Sequence, residues 1–377
     1  MIELILVVCS ILLTAGAAWF ALRLQVALRR FRIRKQYTAA IEAPSVSVCI
    51  PARNETHAMT ECIQAVLASD YKKMEILVFD DDSGDDTSAL VRSFAYAGVR
   101  FVSGATLPEG WLGKNHALDT LAREASGTYV LFMDVDTRIT PTTINWLVGY
   151  MMTEKLEMAS VIPMRKDIWR VSTLLGSLRY FWQLVLWRQS APAAAGTFWA
   201  VRRQTLLENL GGFAAFKGEV LPESHMASLL GTTYHCLISN STLGVTFEKK
   251  WSSQRETSRR LLYPMVGGHW QGGLAGLCGL LLLNLPVVMI VVAGFLEWTL
   301  WQVMAAWLLV AYMAVYGMYL SHVWQRGWWL GGLLWPVVVL QELGFFVMSL
   351  YGYARGKVTW KGRSIGPIAS ARRSSEA

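Results

Sequence analysis

Two aspartates stand two positions apart directly after an apolar run. They are Asp134 and Asp136, and residues 128–133 before them predict a buried strand. Residues two apart in a strand point to the same side, so both carboxylates face one way. Because an unpaired buried charge is costly, such carboxylates need a cation or solvent. The pattern has two interpretations: a divalent metal that holds a phosphorylated donor, or a solvated acidic turn.

Other polar clusters follow predicted strands in the same way. The predicted strands are 45–50, 75–79, 99–102 and 128–133, and the predicted helices between them are about 55–69, 86–96 and 115–126. This alternation predicts a parallel sheet with helices on both faces, which binds ligands at the carboxyl ends of its strands. Residues 51–55 and the run Asp80, Asp81, Asp82 stand at such ends, as Asp134 does, which favours a nucleotide site. There is no GxGxxG or GxxxxGK[ST] pattern, so neither a dinucleotide site nor a P-loop is indicated.

The hydropathy pattern divides the chain into membrane and globular parts. Of the 377 residues 53% are hydrophobic and the mean hydropathy is +0.33, which is too apolar for an ordinary soluble enzyme. Residues 2–22 form one apolar block without a basic region before it, and several arginines follow it from Arg23 onward. This layout predicts an anchor over 1–23 with the following chain in the cytoplasm, whereas Ala15-Gly16-Ala17 leaves a cleaved signal peptide open.

A second group of apolar blocks lies near the C-terminus, over 272–352. Its segments 274–295, 301–320 and 328–350 are each long enough to span a bilayer. Three crossings would place the basic tail, 353–377, outside the cell, although basic segments belong in the cytoplasm. The third segment is the best candidate for a re-entrant or interfacial one, because Pro336, Gln341 and Glu342 interrupt it.

The charges indicate which partners the protein contacts, and the cysteines indicate its redox state. The formal net charge is +8, and the basic residues lie beside apolar segments, so we expect contact with anionic membrane lipids and not with nucleic acid. Residues 168–190 are apolar and carry spaced arginines, which predicts an interfacial amphipathic helix; a buried core helix is the alternative. The five cysteines show no metal-ligand spacing and are expected to be reduced.

Residues 48–55, 80–87 and 134–136 resemble the successive motifs of family 2 glycosyltransferases. The resemblance covers about 44–225, and the expected cytoplasmic domain of GT-A fold extends over 44–260. Residues 110–117 and 358–363 are further similar to the membrane enzymes that glycosylate bacterial carotenoid acids, the diaponeurosporenoate glycosyltransferases. Hopanoid-associated glycosyltransferases have a similar layout.

The resemblance implies a role for individual residues. The residues that it implies for the nucleoside pocket are Pro51, Ala52, Arg53 and Glu55. It implies that Asp81 bonds the uracil ring and that Lys114 neutralises the diphosphate. Asp134 would contact the ribose or a metal, and Asp136 would coordinate Mn²⁺ or Mg²⁺.

The position of the general base departs from the family pattern. Inverting members place a Glu-Asp pair after a Gly-Gly-aromatic turn, whereas here Gly211-Gly212-Phe213 precedes Pro222-Glu223-Ser224. Apart from Glu219 upstream, Glu223 is the only carboxylate left at that position, and it is the expected base. A carboxylic acid acceptor is already ionised near pH 7, so a weakened base site is compatible with ester formation.

The sequence thus predicts an inverting membrane enzyme that moves one sugar from a UDP-sugar, such as UDP-glucose, to a membrane lipid. A carotenoid acid is the first expectation for the acceptor, and a hopanoid or another lipid is the second. Residues 251–255 do not match the Gln-x-x-Arg-Trp element of processive relatives, which disfavours a polysaccharide synthase. A lipid-binding membrane protein with a decayed transferase domain remains the non-enzymatic alternative.

Overall fold

The computed structural model describes residues 2–33, 35–37, 43–104, 106–166, 169–293, 300–361 and 363–365. The strands in chain order are β1 (Val46–Ala52), β2 (Met74–Asp80), β3 (Val99–Ser103), β4 (Tyr129–Met133), β5 (Thr137–Arg138), β6 (Met158–Ile162), β7 (Phe198–Arg202), β8 (Tyr234–Ile238), β9 (Thr246–Phe247), β10 (Thr359–Trp360) and β11 (Arg363–Ser364). The first four are the strands predicted from the sequence.

The helices connect these strands and extend the chain at both ends. In chain order they are α1 (Ile2–Phe31), α2 (Thr56–Leu67), α3 (Thr87–Ser93), α4 (Gly113–Glu124), α5 (Thr143–Thr153), α6 (Val171–Leu174), α7 (Arg179–Val185), α8 (Pro222–Leu230), α9 (Trp251–Met265), α10 (Trp270–Ala293), α11 (Leu300–Val323), α12 (Trp328–Leu333) and α13 (Trp335–Ala354). Short 3₁₀ turns occur at Ala95–Ala97, Phe213–Phe216 and Gly231–Thr233, and a π-helical turn occurs at Thr205–Asn209.

The main sheet has seven strands in the order β3-β2-β1-β4-β7-β6-β8. The predicted strands β1 to β4 are parallel neighbours, in register with Val48 beside Ile76 and Leu131. Strand β7 runs antiparallel to both β4 and β6, so the sheet is mixed. The sequence had predicted a parallel sheet. The carboxyl ends of β1, β2 and β4 lie at one edge, and the polar clusters follow them there.

Alternate residues of the strands pack into two separate cores, one on each face of the sheet. Val48, Val78 and Leu131 belong to one core, which α2 and α5 cover. Cys49 and Phe132 point to the opposite face, and the core there continues into α1, α11 and α13 without interruption. One face of the main sheet therefore rests directly on the apolar helices.

Four helices in the described ranges are long and apolar enough to cross a membrane. Their apolar spans are Val7–Phe31, Trp270–Val292, Leu300–Val323 and Trp335–Ala354. The first helix extends past the expected boundary at residue 23, and Arg23 donates from Nε to the carbonyl of Val185 at 3.1 Å. A cation inside the helix is accommodated because it binds backbone carbonyls of the catalytic domain.

The segment formed by α12 and α13 begins and ends beside the catalytic domain. At its start, the end of α11 is joined to that domain by the Arg165 N–H, which donates to the Val323 carbonyl at 2.7 Å. At its end, Tyr353 Oη donates to the Arg260 carbonyl of α9 at 2.8 Å. Between them, α13 packs antiparallel to α10. Both ends of the α12 and α13 segment thus lie next to the domain that holds the main sheet.

The predicted helix over 168–190 is broken into α6 and α7, and Ile168 lies outside the described residues. The break falls at residues 175–178, where the Leu178 N–H donates to Glu342 Oε2 at 3.3 Å and not to a helical carbonyl. Trp182 Nε1 donates to the other oxygen of Glu342 at 3.1 Å. The expectation of one continuous helix was wrong. The Glu342 carboxylate of α13 accepts the hydrogen bond of the Leu178 N–H, which in a continuous helix would go to a backbone carbonyl.

Candidate active site

A cleft of about 740 Å³ opens at the carboxyl edge of the sheet. Among the residues that the sequence singled out, Lys114, Asp134 and Glu223 line it. Lys114 comes from the first turn of α4, Asp134 follows β4, and Glu223 lies in the first turn of α8. Three distant segments therefore converge on one space.

Lys114 and Asp134 form an ion pair at the floor of the cleft. Nζ of Lys114 lies 2.7 Å from Asp134 Oδ1 and also donates to the Gly196 carbonyl at 3.2 Å. Burial alone would raise the pKa of Asp134, but the Lys114 ammonium outweighs it and the pKa is lowered. The ion pair places the Lys114 side chain in the cleft, and an ammonium group in such a position can stabilise charge that develops on a leaving group.

Glu223 is 8% exposed and stands at the start of α8, which Pro222 opens. Its carboxylate packs against Gly196, where an added Cβ would lie only 2.5 Å from Glu223 Oε1. Burial raises the pKa of Glu223, although Lys114 and Arg179 act in the opposite direction. A more basic carboxylate is a better proton acceptor, as a general base requires.

The motif over residues 110–117 positions Glu223 through Asn115. The buried amide of Asn115 donates to the carbonyls of Phe216, at 2.9 Å, and of Glu219, at 2.8 Å. These hydrogen bonds tie the start of α4, and hence Lys114, to the segment that leads into α8. The motif therefore connects Lys114 to the segment that carries Glu223, the expected base.

The expected nucleoside residues lie outside the cleft lining, behind the C-terminal hairpin of β10 and β11. Arg363 Nη1 donates to Asp81 Oδ1 at 2.8 Å, and Lys361 Nζ donates to Glu55 Oε1 at 2.7 Å. Arg53 Nε donates to the Lys361 carbonyl at 3.2 Å and lies in a 3.7 Å ion pair with Asp81. The hairpin therefore forms hydrogen bonds with Asp81, Glu55 and Arg53, the side chains that the resemblance assigns to the nucleoside.

Asp81 keeps one atom without a hydrogen bond. Its side chain is 1% exposed, and Oδ2 accepts no hydrogen bond in the part of the chain that the structure describes. Burial raises the pKa of Asp81, while Arg363 and Arg53 oppose the shift. A buried acceptor without a donor suits a ligand N–H.

Pro51 and Ala52 are the last two residues of β1, and Ala52 is buried. Neither side chain lines the cleft as the structure describes it. The backbone of Ala52 accepts a 2.9 Å hydrogen bond from the Asp81 N–H, so this strand end positions Asp81.

Three side chains form a candidate metal site: Glu55, His57 and Asp136 each offer a ligand atom, and these atoms lie within 4.8 Å of one another. Carboxylate oxygens suit Mn²⁺ or Mg²⁺, and the imidazole nitrogen suits the transition metal better. Asp134 is not in this group. Lys361 already pairs with Glu55, and burial raises the pKa of Glu55 against the effect of that lysine. The residues fit a divalent cation once Lys361 moves away.

Several residues of the site were not predicted as such from the sequence. His57, Arg179, Lys249, Arg260 and Lys361 were not assigned a role, and neither were Trp360 and Arg363. The segment 358–363 did stand out as a motif, which was a usable signal for the hairpin. Burial lowers the pKa of Arg260, whose Nε has no hydrogen-bond partner among the described residues.

The model of the family described as "Glycosyl transferase family 2" matches residues 47–210. The probable glycosyltransferase YdaM of Bacillus subtilis is 31% identical over 186 residues, which are 46% of this chain and 43% of that protein. A 4,4'-diaponeurosporenoate glycosyltransferase of Staphylococcus haemolyticus is 33% identical over 95 residues, or 25% of each chain. The chain thus spans less than half the length of these curated relatives.

A solved structure resembles the whole architecture. The mannosyltransferase PcManGT from Pyrobaculum calidifontis, in complex with GDP-Man and Mn²⁺, is 20% identical and has a TM-score of 0.58. The similarity covers 92% of this chain and 98% of that one, and it bears on the fold. The family 2 glycosyltransferase model therefore matches the segment that carries the motifs, and the fold of the chain is similar to that of a solved glycosyltransferase.

Proposed function

We propose that the protein is a membrane-bound inverting glycosyltransferase that moves one sugar, glucose first, from a UDP-sugar to a membrane lipid. The carrying observation is that Lys114, Asp134 and Glu223 meet in one cleft, on a domain whose core is continuous with the apolar helices. The partly similar relatives include a carotenoid-acid enzyme, which supports a carotenoid acid as the first acceptor to test.

The donor half of the reaction uses the polar edge of the sheet. In this proposal Asp81 accepts a hydrogen bond from the uracil ring once Arg363 has moved, and Lys114 faces the diphosphate. Glu55, His57 and Asp136 would hold Mn²⁺ or Mg²⁺, which when bound neutralises charge on the diphosphate. The Asp134 carboxylate fixes the Lys114 ammonium at the cleft floor through the 2.7 Å ion pair.

Transfer is a displacement at the anomeric carbon. An acceptor oxygen forms the new bond from the face opposite the diphosphate, the bond from carbon to the diphosphate oxygen breaks, and its electron pair leaves with UDP. With an alcohol acceptor, Glu223 takes the hydroxyl proton; an ionised carboxylate acceptor has no proton to give. Lys114 stabilises the charge that grows on the leaving group.

We propose that the apolar helices cross the membrane and that the catalytic domain faces the cytoplasm, where UDP-sugars are made. The arginines that follow the first apolar block support this orientation. Basic side chains at the same surface would bind anionic lipids.

The experiment that tests the donor half is release of UDP by the purified full chain in nanodiscs. We expect UDP-glucose and Mn²⁺ to give release that is stimulated by extracted membrane lipids. Lys114→Met should abolish it, and Glu208→Gln, at an exposed position, should not. No nucleotide release from any UDP-sugar, with or without lipid, would contradict the proposal.

A further inference from the structure

A second cavity, partly open to solvent, adjoins the active-site cleft. The two share Arg179 and Lys249 in their walls, so a group can contact both spaces. The walls of the second cavity come from the start of α7, from β9 and from α9. Arg165 in this wall is bonded through its backbone to the end of α11, so the cavity lies between the cleft and the apolar helices.

The described lining of this cavity contains three cations, Arg165, Arg179 and Lys249, and no carboxylate. The hydrogen-bond acceptors of Arg165 and Lys249 are neutral groups. Arg165 donates to Gln254 Oε1 at 2.9 Å, and Lys249 donates to Thr257 Oγ1 at 2.8 Å. Neutral dipoles compensate a partly buried cation only in part, so this arrangement favours an anion.

Aromatic rings hold the cations close together. Arg165 and Lys249 lie over the same ring, Phe247, at 4.7 Å and 5.8 Å from its centroid. Arg179 lies over Tyr180 at 4.3 Å. Such contacts fix the positions of the charges without neutralising them.

An unpartnered hydroxyl provides independent support for a ligand. Ser258 lines the same cavity and is 3% exposed, and its Oγ has no hydrogen-bond partner within the described ranges. Burial also lowers the pKa of Lys249 to about 8, although Asp136 and Asp134 act to raise it. A bound anion would satisfy the hydroxyl and the ammonium together.

We propose that Arg165, Arg179 and Lys249, with the hydroxyl of Ser258, form a subsite for an anionic headgroup, a carboxylate or a phosphate, on the membrane acceptor. This inference rests on the proposed function, because it assigns the acceptor side of the same reaction. Arg179 and Lys249 line both spaces, but Arg165 and Ser258 line only the second cavity, whereas Lys114, Arg260 and Arg363 line only the cleft.

A lipid headgroup fits better than a free anion. Besides its cations, the cavity is lined by Phe247, Leu261 and Leu262. Leu262 belongs to the same core as Tyr316 and Tyr319 of α11. An amphiphile could therefore keep its chain among the helices and its charge against the cations.

The test compares matched probes on the full chain in neutral phosphatidylcholine nanodiscs. Labelled oleate, oleyl phosphate and oleyl alcohol are the lipid probes, and inorganic phosphate is the free anion. We expect oleate or oleyl phosphate to bind at least about tenfold more tightly than oleyl alcohol, as one charged hydrogen bond would give. Arg165→Gln, Lys249→Met and Ser258→Ala should each reduce this preference, and Lys250→Met, at the exposed neighbour, should not.

UDP binding by the same variants separates the possible failures. Equal binding of oleate, oleyl phosphate and oleyl alcohol would overturn the subsite. Variants that weaken UDP binding but leave the lipid preference intact would assign the cations to the donor, and inorganic phosphate that displaces both anionic lipids at equal concentration would overturn the lipid assignment. Anionic preference without any UDP release would instead contradict the proposed function and leave the subsite standing.

Discussion

Arg363 Nη1 donates a hydrogen bond to Asp81 Oδ1 across 2.8 Å, joining residues that are 282 positions apart. The contact places the C-terminal hairpin against the carboxylate that follows β2. Lys361, in the same hairpin, pairs with Glu55 at 2.7 Å. In the proposed donor site, a segment from the far end of the chain thus contacts Asp81 and Glu55, and we expect it to move before a nucleoside binds there.

Removal of the Arg363 side chain should strengthen nucleotide binding. In the Arg363→Met variant, Asp81 loses a competing donor and becomes available to a uracil N–H. We expect the Kd for UDP to fall by up to about tenfold, the size of one charged hydrogen bond. Isothermal titration with UDP measures this, and Lys357→Met, at an exposed residue of the same tail, is the matched control. Weaker UDP binding would mean that the hairpin forms part of the donor pocket.

Replacement of Glu223 separates alcohol acceptors from carboxylate acceptors. Glu223→Gln should lower kcat for transfer to an alcohol by roughly 100- to 10,000-fold, the usual contribution of a general base. Transfer to a carboxylate should change little, because that nucleophile has already lost its proton. Initial rates with the two acceptor types provide the measurement. Loss of transfer to the carboxylate as well would show that Glu223 does more than accept a proton.

The pH dependence of Glu223 has a definite sign. Because burial raises its pKa above the ordinary value of 4.5, activity with an alcohol should fall with acidification at a pH above 4.5. The folded state holds the proton more tightly than the unfolded state, so this group's contribution to stability decreases as pH rises through the two pKa values. At neutral pH, Glu223→Gln should therefore raise the melting temperature. A lower one would indicate that the charge is stabilising.

The candidate metal site makes a prediction that does not depend on turnover. Manganese bound to the full chain should be detectable by the loss of the free-ion signal in electron paramagnetic resonance. Asp136→Asn and His57→Gln should each weaken that binding by about tenfold or more, as one ligand is lost. Asp82→Asn changes an exposed carboxylate near the same sheet edge and should leave it unchanged. Unchanged binding in Asp136→Asn would place the metal elsewhere.

The membrane topology follows from the position of the hairpin. Because the hairpin contacts Asp81, we expect residues 353–365 and the catalytic domain to lie on the same side of the membrane. The segment formed by α12 and α13 would then be re-entrant, since it begins and ends on that side. Cysteines introduced at Gln325 and Lys357, in a variant without Cys9 and Cys278, should react with an impermeant maleimide only in inside-out vesicles. Reaction at Lys357→Cys in right-side-out cells would contradict this topology and support three C-terminal crossings.

The positions of the first four strands were predictable because each is a short apolar run and helical segments separate them. Strand β7 was not predicted, and it makes the sheet mixed. The break of the 168–190 helix was also missed, because the carboxylate that causes it, Glu342, is distant in sequence. The Glu342 side chain is fully buried and therefore faces protein.

Within the site, Lys114, Asp134 and Glu223 line one cleft. Their roles, and those of Arg53, Asp81 and Asp136, stay predictions until they are tested. The cation cluster had no local signature, since Arg165, Arg179 and Lys249 come from three separate segments. Proximity created by the fold, and not residue type, distinguishes them from surface arginines and lysines.

The most direct test of the central claim is mass analysis of lipids extracted from membranes that contain the protein and have been incubated with isotopically labelled UDP-glucose. We expect a lipid that carries one labelled hexose, present with the natural chain and absent with Lys114→Met. Labelled polysaccharide without a glycolipid, or a labelled lipid that is equally abundant with Lys114→Met, would contradict it.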